Sequence, residues 1–458
     1  MKFLFVHQNF PGQFLHIVRH LAKQGNHDVV FISEGNENAI SGVRRVIYRM
    51  PGRQTDSVHP GAREFDLGLT RADAVAKAAM TLRSLGFVPD IIIGHHGWGE
   101  LLNLQDVFPA VPLLGYFEFF YHTDKYDVGF DPEFPVVPEM LPKIRAKNAI
   151  NLQALNNPGW GQTPTLFQRN TYPDWAQSRI TVLREGVDLN LCAPDSGAAK
   201  RTLKIKDVTI SPKDRLVTYV SRDLEPYRGF HVFMRSLSRI QKECPQARIV
   251  MVGGDGVSYG SRLVNGSWRE RMLSELQGTL DLDQIHFVGK VSYDDFRALL
   301  KRSDAHVYLT YPFVASWSLR EAMAMGCPIV GSDTAPVSEF IEDRRTGLLT
   351  PFTEPAKIAG NVLELLDDRR LAKRLGQAAR AEAEATLCLD DYLARYEDLI
   401  EQLTGKSPSQ TDVPKMKTKR KTAPATAAKK KTASRPTPSR KTVRGSLTLP
   451  SPEGRGKM

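Results

Sequence analysis

The chain has 458 residues, of which 41% are apolar and 25% are charged. This composition is ordinary for a globular protein, and the length exceeds that at which one hydrophobic core stops growing, so we expect two domains. No apolar run approaches the roughly 20 residues of a membrane helix. The opening MKFLFVHQNF is too short and too soon polar for a signal peptide, so the sequence predicts a cytoplasmic protein. The cysteines form no CxxC pair, which argues against a zinc cluster or a disulfide framework; they are Cys192, Cys244, Cys327 and Cys388.

Positive charge is concentrated at the carboxyl end of the chain. Residues 405–458 contain 15 Lys and Arg against 2 acids, which leaves 47 basic and 49 acidic side chains in residues 1–404. The net charge of +11 therefore belongs to the tail, and the body is nearly neutral. The tail is rich in Lys, Arg, Ala, Pro, Thr and Ser, so we predict that it is disordered. Its charge suits contact with an anionic membrane or another polyanion.

In the first half of the chain, short apolar runs alternate with segments of helical period. The predicted strands are KFLFVH, HDVVFIS, PDIIIGH and VPLLGYF. The predicted helices are GQFLHIVRHLAKQG, ADAVAKAAMTLRSLGF and EMLPKIRAKNAINLQALN, in which apolar residues recur three and four positions apart. This βαβ alternation predicts a parallel sheet with helices on both faces.

The alternation pauses around ITVLREGVDLNLCAPD and resumes near Arg215 with the strands RLVTYVS, ARIVMVGG, QIHFVGK, DAHVYLT and CPIVGS. We therefore predict an α/β fold of two Rossmann-like, doubly wound domains that face a cleft. The predicted segments are an N-terminal domain at 1–190, a hinge at 191–213, a C-terminal domain at 214–385, a closing helix at 386–404 and the tail at 405–458. Ligands of such sheets lie beyond the carboxyl ends of the strands.

The turn after the first strand contains Gly12, which allows close approach of a ligand to the backbone at a helix start that attracts anions. Without a GxGxxG motif, Gly12 taken alone is more readily explained as a residue that only makes the turn, and a dinucleotide-dependent dehydrogenase is disfavoured.

A pair of arginines follows the first strand of the second half. In SRDLEPYRGF, Arg222 ends the strand and Arg228 precedes the next helix, and two such groups can hold a pyrophosphate. Without further context, two nearby arginines more often lie on a solvent-exposed surface than in a binding site. Here it lies where the fold binds ligands, and a VGGDG turn with Gly254 and Asp255 follows the next strand.

The helix in FVASWSLREAMAMGCPIVGSD carries one acid, Glu321, about a turn after Ser316 and Ser318. Amides and hydroxyls at that helix start could face a diphosphate, while the carboxylate accepts hydrogen bonds from the two hydroxyls of a ribose. The alternative is a salt-bridged glutamate on a helix surface.

Taken together, these segments resemble the retaining glycosyltransferases of family 4, the group 1 glycosyltransferases of the GT-B fold. The resemblance covers about residues 1–400 and includes EGVDLNLCAPD, FVGKVSYDDFRALLKRSDAHVYLT and SLREAMAMGCPIVGSDTAPVSEFIEDRRTGLLTPF. It implies that Arg222 and Arg228 hold the donor diphosphate, as an Arg and a Lys do in the family. It also implies that Glu321 binds the nucleotide ribose and that Gly12 lies in the loop facing the diphosphate.

The chain departs from the family at two positions. The first of the family's two glutamates, which is assigned to the donor sugar, is replaced by Phe313, although a subgroup carries a similar YPFV-SWSL segment. Where a histidine commonly follows the VPLLGYF strand, this chain has Glu118. Candidate contacts to the sugar or the acceptor are therefore Ser316, Glu118 and the loop GHHGWGE, with His95, His96, Trp98 and Glu100.

The resemblance implies hexosyl transfer from a nucleotide diphosphate sugar to an acceptor hydroxyl, with retention and without a cofactor. We expect no metal site, because no DxD follows a strand and the acids of LDDY and YDDF fall in helical segments. Family members often use sugar, lipid-linked or envelope acceptors at the cytoplasmic face of the membrane. The alternatives are a nucleotide-sugar epimerase, an inactive sugar-nucleotide binder of the same fold, or nucleic-acid binding through the tail.

Overall fold

Two parallel β-sheets form the framework of the protein in the computed structural model, which describes residues 1–52 and 56–409. The strands of the first sheet are β1 Lys2–Val6, β2 Asp28–Ser33, β3 Val43–Ile47, β4 Ile91–His95, β5 Leu113–Tyr116, β6 Trp160–Thr163 and β7 Ile180–Val182. Their order is β3-β2-β1-β4-β5-β6-β7, and all the pairings are parallel. The strand order reverses between β1 and β4, so a crevice is expected beyond their carboxyl ends.

The helices of this first domain connect its strands. They are α1 Leu15–Gln24, α2 Arg63–Ser84, α3 Leu104–Val107, α4 Leu141–Asn156, α5 Leu166–Thr171 and α6 Asp174–Gln177. The first helix shows why the sequence folds this way, because Ile17, Val18 and Leu21 recur at helical spacing and are fully buried. It ends at Gly25, whose φ of 74° is the left-handed conformation that favours glycine.

The second domain contains a short antiparallel hairpin and a six-stranded parallel sheet. The hairpin strands are β8 Leu203–Ile205 and β9 Val208–Ile210. The sheet strands are β10 Arg215–Asp223, β11 Ala247–Gly254, β12 Ile285–Gly289, β13 Ala305–Tyr308, β14 Ile329–Ser332 and β15 Leu348–Thr350, in the order β12-β11-β10-β13-β14-β15.

The remaining helices follow in the second half of the chain. They are α7 Phe230–Glu243, α8 Trp268–Glu275, α9 Tyr293–Arg302, α10 Trp317–Ala324, α11 Ala335–Ser338, α12 Pro355–Asp367, α13 Arg369–Thr386 and α14 Leu389–Thr404. Within residues 1–52 and 56–409, no helix combines the length and the apolarity needed to cross a membrane.

The last helix, α14, packs on the first domain although it follows the second. Tyr392, Tyr396 and Ile400 are buried in the same core cluster as Phe3 and Phe31. Deep in that contact, Gln162 Nε2 donates a hydrogen bond of 2.5 Å to the Tyr396 hydroxyl. The chain therefore passes between the domains twice.

The structure confirms the predicted α/β fold of two Rossmann-like domains, and it corrects the sequence prediction in several places. The pause near residue 180 contains strand β7, and the predicted hinge at 191–213 contains the β8–β9 hairpin. Strands β3, β6 and β15 were not predicted. Most of the predicted disordered tail, residues 410–458, lies outside the described residues.

Candidate active site

The connection between β10 and α7 holds Arg228 in a fixed position. A single 3-10 turn, Pro226–Arg228, ends at Gly229, whose φ is 73°. A Cβ at Gly229 would come within 2.5 Å of a side chain beyond β13, so this close approach requires glycine. The Arg228 side chain is buried, and its Nη1 donates to Thr310 Oγ1 at 2.7 Å and to the Val314 carbonyl at 2.9 Å. A buried cation is thus anchored at the carboxyl end of the second sheet.

Arg222 lies at the end of β10, where the pairing with β11 shifts its register between Val220 and Asp223. In contrast to Arg228, its side chain is exposed. The predicted pair therefore combines one anchored guanidinium and one solvent-facing guanidinium, and its role in diphosphate binding stays a prediction.

A buried carboxylate, which was not predicted from the sequence, holds the loop after β11 through hydrogen bonds that we call the Glu225 clamp. Glu225 accepts hydrogen bonds from the amides of Ser258 at 3.1 Å, Tyr259 at 3.2 Å and Gly260 at 2.9 Å. Burial raises the pKa of Glu225, although these three amides lower it. The Glu225 clamp places the Tyr259 ring 4.9 Å from the Arg228 guanidinium carbon, in a cation–π contact.

The predicted glycine-rich turn lies beside this loop. A Cβ at Gly254 would meet Asp223 Oδ1 at 2.8 Å, which explains the absence of a side chain. Asp255 forms an ion pair of 2.7 Å with Arg269 of α8 on a partly exposed surface. Its assignment to donor binding stays a prediction.

The helix start at α10 has the predicted serines. Ser316 is the N-cap residue, its amide donates to the Tyr308 hydroxyl at 2.7 Å, and its Oγ lies 2.6 Å from Ser318 Oγ. One turn further on, Glu321 Oε1 accepts a hydrogen bond of 2.6 Å from the Tyr293 hydroxyl at the start of α9. Burial raises the pKa of the Glu321 carboxyl.

The first domain contacts this helix start. The His16 and Trp317 rings lie 5.4 Å apart, and Trp317 Nε1 donates to Glu185 Oε2 at 2.8 Å. The same carboxylate forms a buried ion pair with Arg320 at 2.7 Å. Gly12, at the beginning of the turn that leads into α1, has a φ of 54°, and a Cβ there would come within 2.8 Å of the His7 ring. The starts of α1 and α10 therefore belong to one interface.

On the first domain, Glu118, which lies just after β5, is next to His95, the last residue of β4. Their Oε2 and Nε2 atoms are 3.7 Å apart. Because the Gly97 amide donates to His95 Nδ1 at 3.0 Å, the neutral ring carries its proton on Nε2, facing Glu118. His95 is buried, whereas the Glu118 side chain is 25% exposed. Glu118 is therefore accessible to a ligand, and His95 Nε2, which makes no hydrogen bond within the described residues, lies beside it.

The other candidates in the GHHGWGE loop have different environments. His96 is buried against Phe117, with ring centroids 4.6 Å apart, and burial lowers its pKa to about 3. Glu100 is fully buried, and burial raises its pKa. Trp98 is exposed. Sugar contacts by these three residues stay predictions, and His96 would need a rearrangement to make one.

Phe313, which replaces the family's acid, lies in an aromatic cluster between the two domains. Its ring centroid is 4.6 Å from that of Phe119, 5.2 Å from Tyr259 and 5.4 Å from Tyr227. Phe313 is buried, so a carboxylate in this place would lack water. The apolar residue is thus consistent with its surroundings.

Two family models match consecutive parts of the chain. The model described as glycosyl transferase family 4 group matches residues 25–192, and the model described as glycosyl transferases group 1 matches residues 200–382. The gap between the two matches, residues 193–199, falls between the last strand of the first sheet and the β8–β9 hairpin.

Known proteins resemble the chain at low identity, across about half or more than four fifths of its length. Glycogen synthase of Mycobacterium tuberculosis is 24% identical over 408 residues, which are 83% of this chain and 89% of that protein. Spore coat protein SA of Bacillus subtilis is 28% identical over 230 residues, 49% of this chain and 58% of that protein.

Solved structures share the fold. Sucrose-phosphate synthase from Thermosynechococcus elongatus has a TM-score of 0.69 at 16% identity, covering 88% of this chain and 99% of that chain. HepE of Anabaena in complex with UDP-glucose has a TM-score of 0.60 at 15% identity, covering 88% of this chain and 100% of that chain.

Proposed function

Since the chain belongs to the group 1 glycosyltransferases of the GT-B fold, we propose that it transfers a hexosyl group from a nucleotide diphosphate sugar to an acceptor hydroxyl, with retention of anomeric configuration and without a metal ion. The proposal depends on the position of the anchored Arg228, which lies beside both the start of α10 and the glycine-rich loop after β11. These groups gather at the edge of the sheet where the fold binds ligands.

The diphosphate binds at this edge of the second domain. When the bond from the anomeric carbon to the phosphate oxygen breaks, negative charge builds up on the terminal phosphate. Arg228, held by Thr310 and Val314, and the exposed Arg222 stabilise that charge. Because Arg228 is fixed before the donor arrives, little reorganisation is needed during the reaction.

The nucleoside binds between α9 and α10. Glu321 accepts hydrogen bonds from the ribose hydroxyls, and the Tyr293 hydroxyl, which donates to the same carboxylate, orients it. Gly254 allows the backbone to approach the donor closely, and Ser316 and Ser318 supply hydroxyls at the helix start.

The acceptor approaches from the first domain, where the Glu118 carboxylate lies 3.7 Å from the buried His95 ring. In the retaining reaction, the acceptor oxygen attacks the anomeric carbon on the face from which the diphosphate departs. The acceptor's proton passes to the departing phosphate oxygen, so the reaction needs no separate protein base. The proposed acceptor is a sugar or a lipid-linked saccharide, and the basic tail would hold the protein at the inner face of the membrane.

A panel of donors tests the proposal. UDP-glucose, GDP-mannose and ADP-glucose are screened by thermal shift, because a donor at one hundred times its dissociation constant adds about 2.7 kcal/mol to the free energy of unfolding. HepE, a protein of the same fold, binds UDP-glucose, so this donor is included first. Donors that stabilise the protein are then followed by NMR for hydrolysis and for the anomeric configuration of the sugar that is released or transferred.

Three outcomes contradict the proposal in different ways. An inverted product contradicts retention, whereas interconversion of the intact nucleotide sugar supports the epimerase alternative. Binding of a donor without turnover on any saccharide acceptor supports an inactive sugar-nucleotide binder.

A further inference from the structure

A segment of the first domain extends across the cleft and docks on the second domain. We define residues 124–137, between β5 and α4, as the interdomain arm. Its Asp131 is 4% exposed, and Asp131 Oδ2 lies 2.9 Å from His231 Nε2 and accepts a hydrogen bond of 2.9 Å from the Tyr311 hydroxyl. Both partners belong to the second domain, so a single buried carboxylate joins the two domains.

Apolar contacts hold the arm on either side of Asp131. The Phe130 ring packs between Tyr311, at a centroid distance of 5.2 Å, and Phe352, at 5.3 Å. Phe134 packs edge-on against Trp268 at 5.5 Å. Both arm phenylalanines are half-buried against the core of the second domain, so undocking of the arm would expose them further.

Polar contacts complete the docking. Glu133 receives two hydrogen bonds from Arg235, at 2.6 and 3.1 Å, and Asp127 accepts one from the Tyr227 hydroxyl. Burial raises the pKa of Asp127, whereas hydrogen bonds from His231 and Tyr311 outweigh burial and lower the pKa of Asp131. Asp131 is therefore the ionised anchor of the arm.

The arm contacts two tyrosines, each of which is adjacent in the chain to one partner of the hydrogen bond between Arg228 and Thr310. Tyr227 directly precedes Arg228, and Tyr311 directly follows Thr310, which accepts the hydrogen bond from Arg228. The Tyr311 amide also donates to the Tyr227 carbonyl at 3.1 Å. Movement of either tyrosine would therefore displace the buried guanidinium.

We propose that the interdomain arm positions Arg228, and that Asp131 is the positioning residue that holds Tyr311 and thereby the diphosphate side of the donor site. This inference rests on the proposed function. It assigns a residue of the first domain to transition-state stabilisation in the second, because a catalytic group that is misplaced by about 1 Å can lose about 10²-fold in rate. The arm therefore makes the reaction depend on closure of the two domains.

The test uses the full chain and isosteric changes. In Asp131→Asn and in Tyr311→Phe, we expect kcat for donor turnover to fall at least tenfold while KM for the donor changes less than threefold. Tyr311→Phe keeps the packing on Phe130 and Phe352 and removes only the hydroxyl, so it remains informative if Asp131→Asn folds poorly. Asp124→Asn, the same chemical change at an exposed position of the arm, is the matched control and should behave like the wild type.

Two further measurements separate positioning from general stability. Because Asp131 and Tyr311 act through one hydrogen bond, the double variant should be no slower than the slower single variant. Hydrogen exchange of residues 124–137 without donor should accelerate in Asp131→Asn and not in Asp124→Asn. Wild-type kcat in both single variants, multiplicative losses, or unchanged exchange in Asp131→Asn would overturn the inference. If the wild-type chain turns over no donor, the proposed function fails, while the exchange measurement still decides whether Asp131 holds the arm.

Discussion

The Tyr293 hydroxyl donates a hydrogen bond of 2.6 Å to Glu321 Oε1 and so connects the first residue of α9 to the second turn of α10. A ligand contact was predicted for Glu321 from the sequence, whereas no sequence pattern indicated Tyr293. With one oxygen of the carboxylate engaged, the orientation of the carboxylate is restrained in the structure without a ligand. Two consequences can be measured.

The first prediction concerns the charge of Glu321. In Glu321→Gln, the affinity for the nucleoside diphosphate released by the active donor should fall by about tenfold, because hydrogen bonds to charged groups contribute about 1.5–3 kcal/mol. Calorimetric titration of both proteins with that diphosphate checks this. An unchanged dissociation constant would contradict the assignment.

The charge of Glu321 also predicts a pH dependence. Burial raises the pKa of this carboxyl, so its ionised, hydrogen-bond-accepting form is complete only above a pH higher than that of an ordinary glutamate. Nucleotide affinity should therefore be lost as the pH falls through the raised pKa, and Glu321→Gln should abolish that component. The same titration repeated between pH 5 and pH 8 provides the measurement.

Replacing Arg222 tests the predicted phosphate contact without changing the stability of the fold. Its side chain is exposed, so Arg222→Ala should leave the melting temperature unchanged. We expect kcat to fall on the order of 10²-fold, as for a lost oxyanion-type donor, with a smaller effect on donor affinity. Arg239→Ala, which removes an exposed arginine paired with Glu243 on α7, is the control. Equal turnover in the two variants would show that Arg222 does not contact the leaving group.

A change at Phe313 tests why the family's acid is absent. Phe313→Glu should lower the free energy of unfolding by roughly 3 kcal/mol or more, because it places an unpaired carboxylate among aromatic rings. Phe313→Leu should cost only about 1 kcal/mol. Urea denaturation of both variants measures the difference. If Phe313→Glu is as stable as the wild type and more active, the cluster is instead an open sugar site.

Metal independence is tested directly. Among the described residues, no group of three His, Cys, Asp or Glu side chains is arranged to hold a metal ion. We expect donor turnover to be the same within twofold in EDTA and in Mg²⁺. Activity that vanishes in EDTA and returns with a divalent ion would disprove the proposed mechanism on this point.

The basic tail is predicted to act outside the catalytic body. Ser409 donates a hydrogen bond of 2.7 Å to Glu397, so the informative truncation begins at residue 410 rather than at Gly405. Removing 410–458 should leave turnover on a soluble acceptor unchanged and weaken salt-sensitive binding to vesicles of anionic lipid, since each basic residue contributes about 1 kcal/mol near such a surface. Loss of turnover would place the tail within the catalytic unit, and binding to DNA but not to vesicles would favour the nucleic-acid alternative.

The parts of the fold that the sequence predicts are those with a local signal. Strands such as β1 and β11 are continuous apolar runs, whereas β6 reads WGQT, because Gly161 has no room for a side chain beside Phe117. In the candidate site, too, only the residues with a local sequence signal were predicted. Arg228 follows a recognisable strand, but the clamp by Glu225, the aromatic cluster around Phe313 and the interdomain arm each join segments far apart in the chain. Only their three-dimensional arrangement reveals those contacts.

The return of α14 to the first domain has a consequence for how the protein is made. The last strand of the first sheet ends at Val182, but the helix that covers part of its core begins only at Leu389. At typical elongation rates the ribosome needs roughly 10 to 40 s to synthesise the intervening chain. During that interval the nascent first domain lacks the apolar side chains of α14, among them Tyr392, Tyr396 and Ile400, that complete its core cluster. Newly made chains of this protein should therefore be clients of ribosome-associated chaperones until translation has passed Thr404.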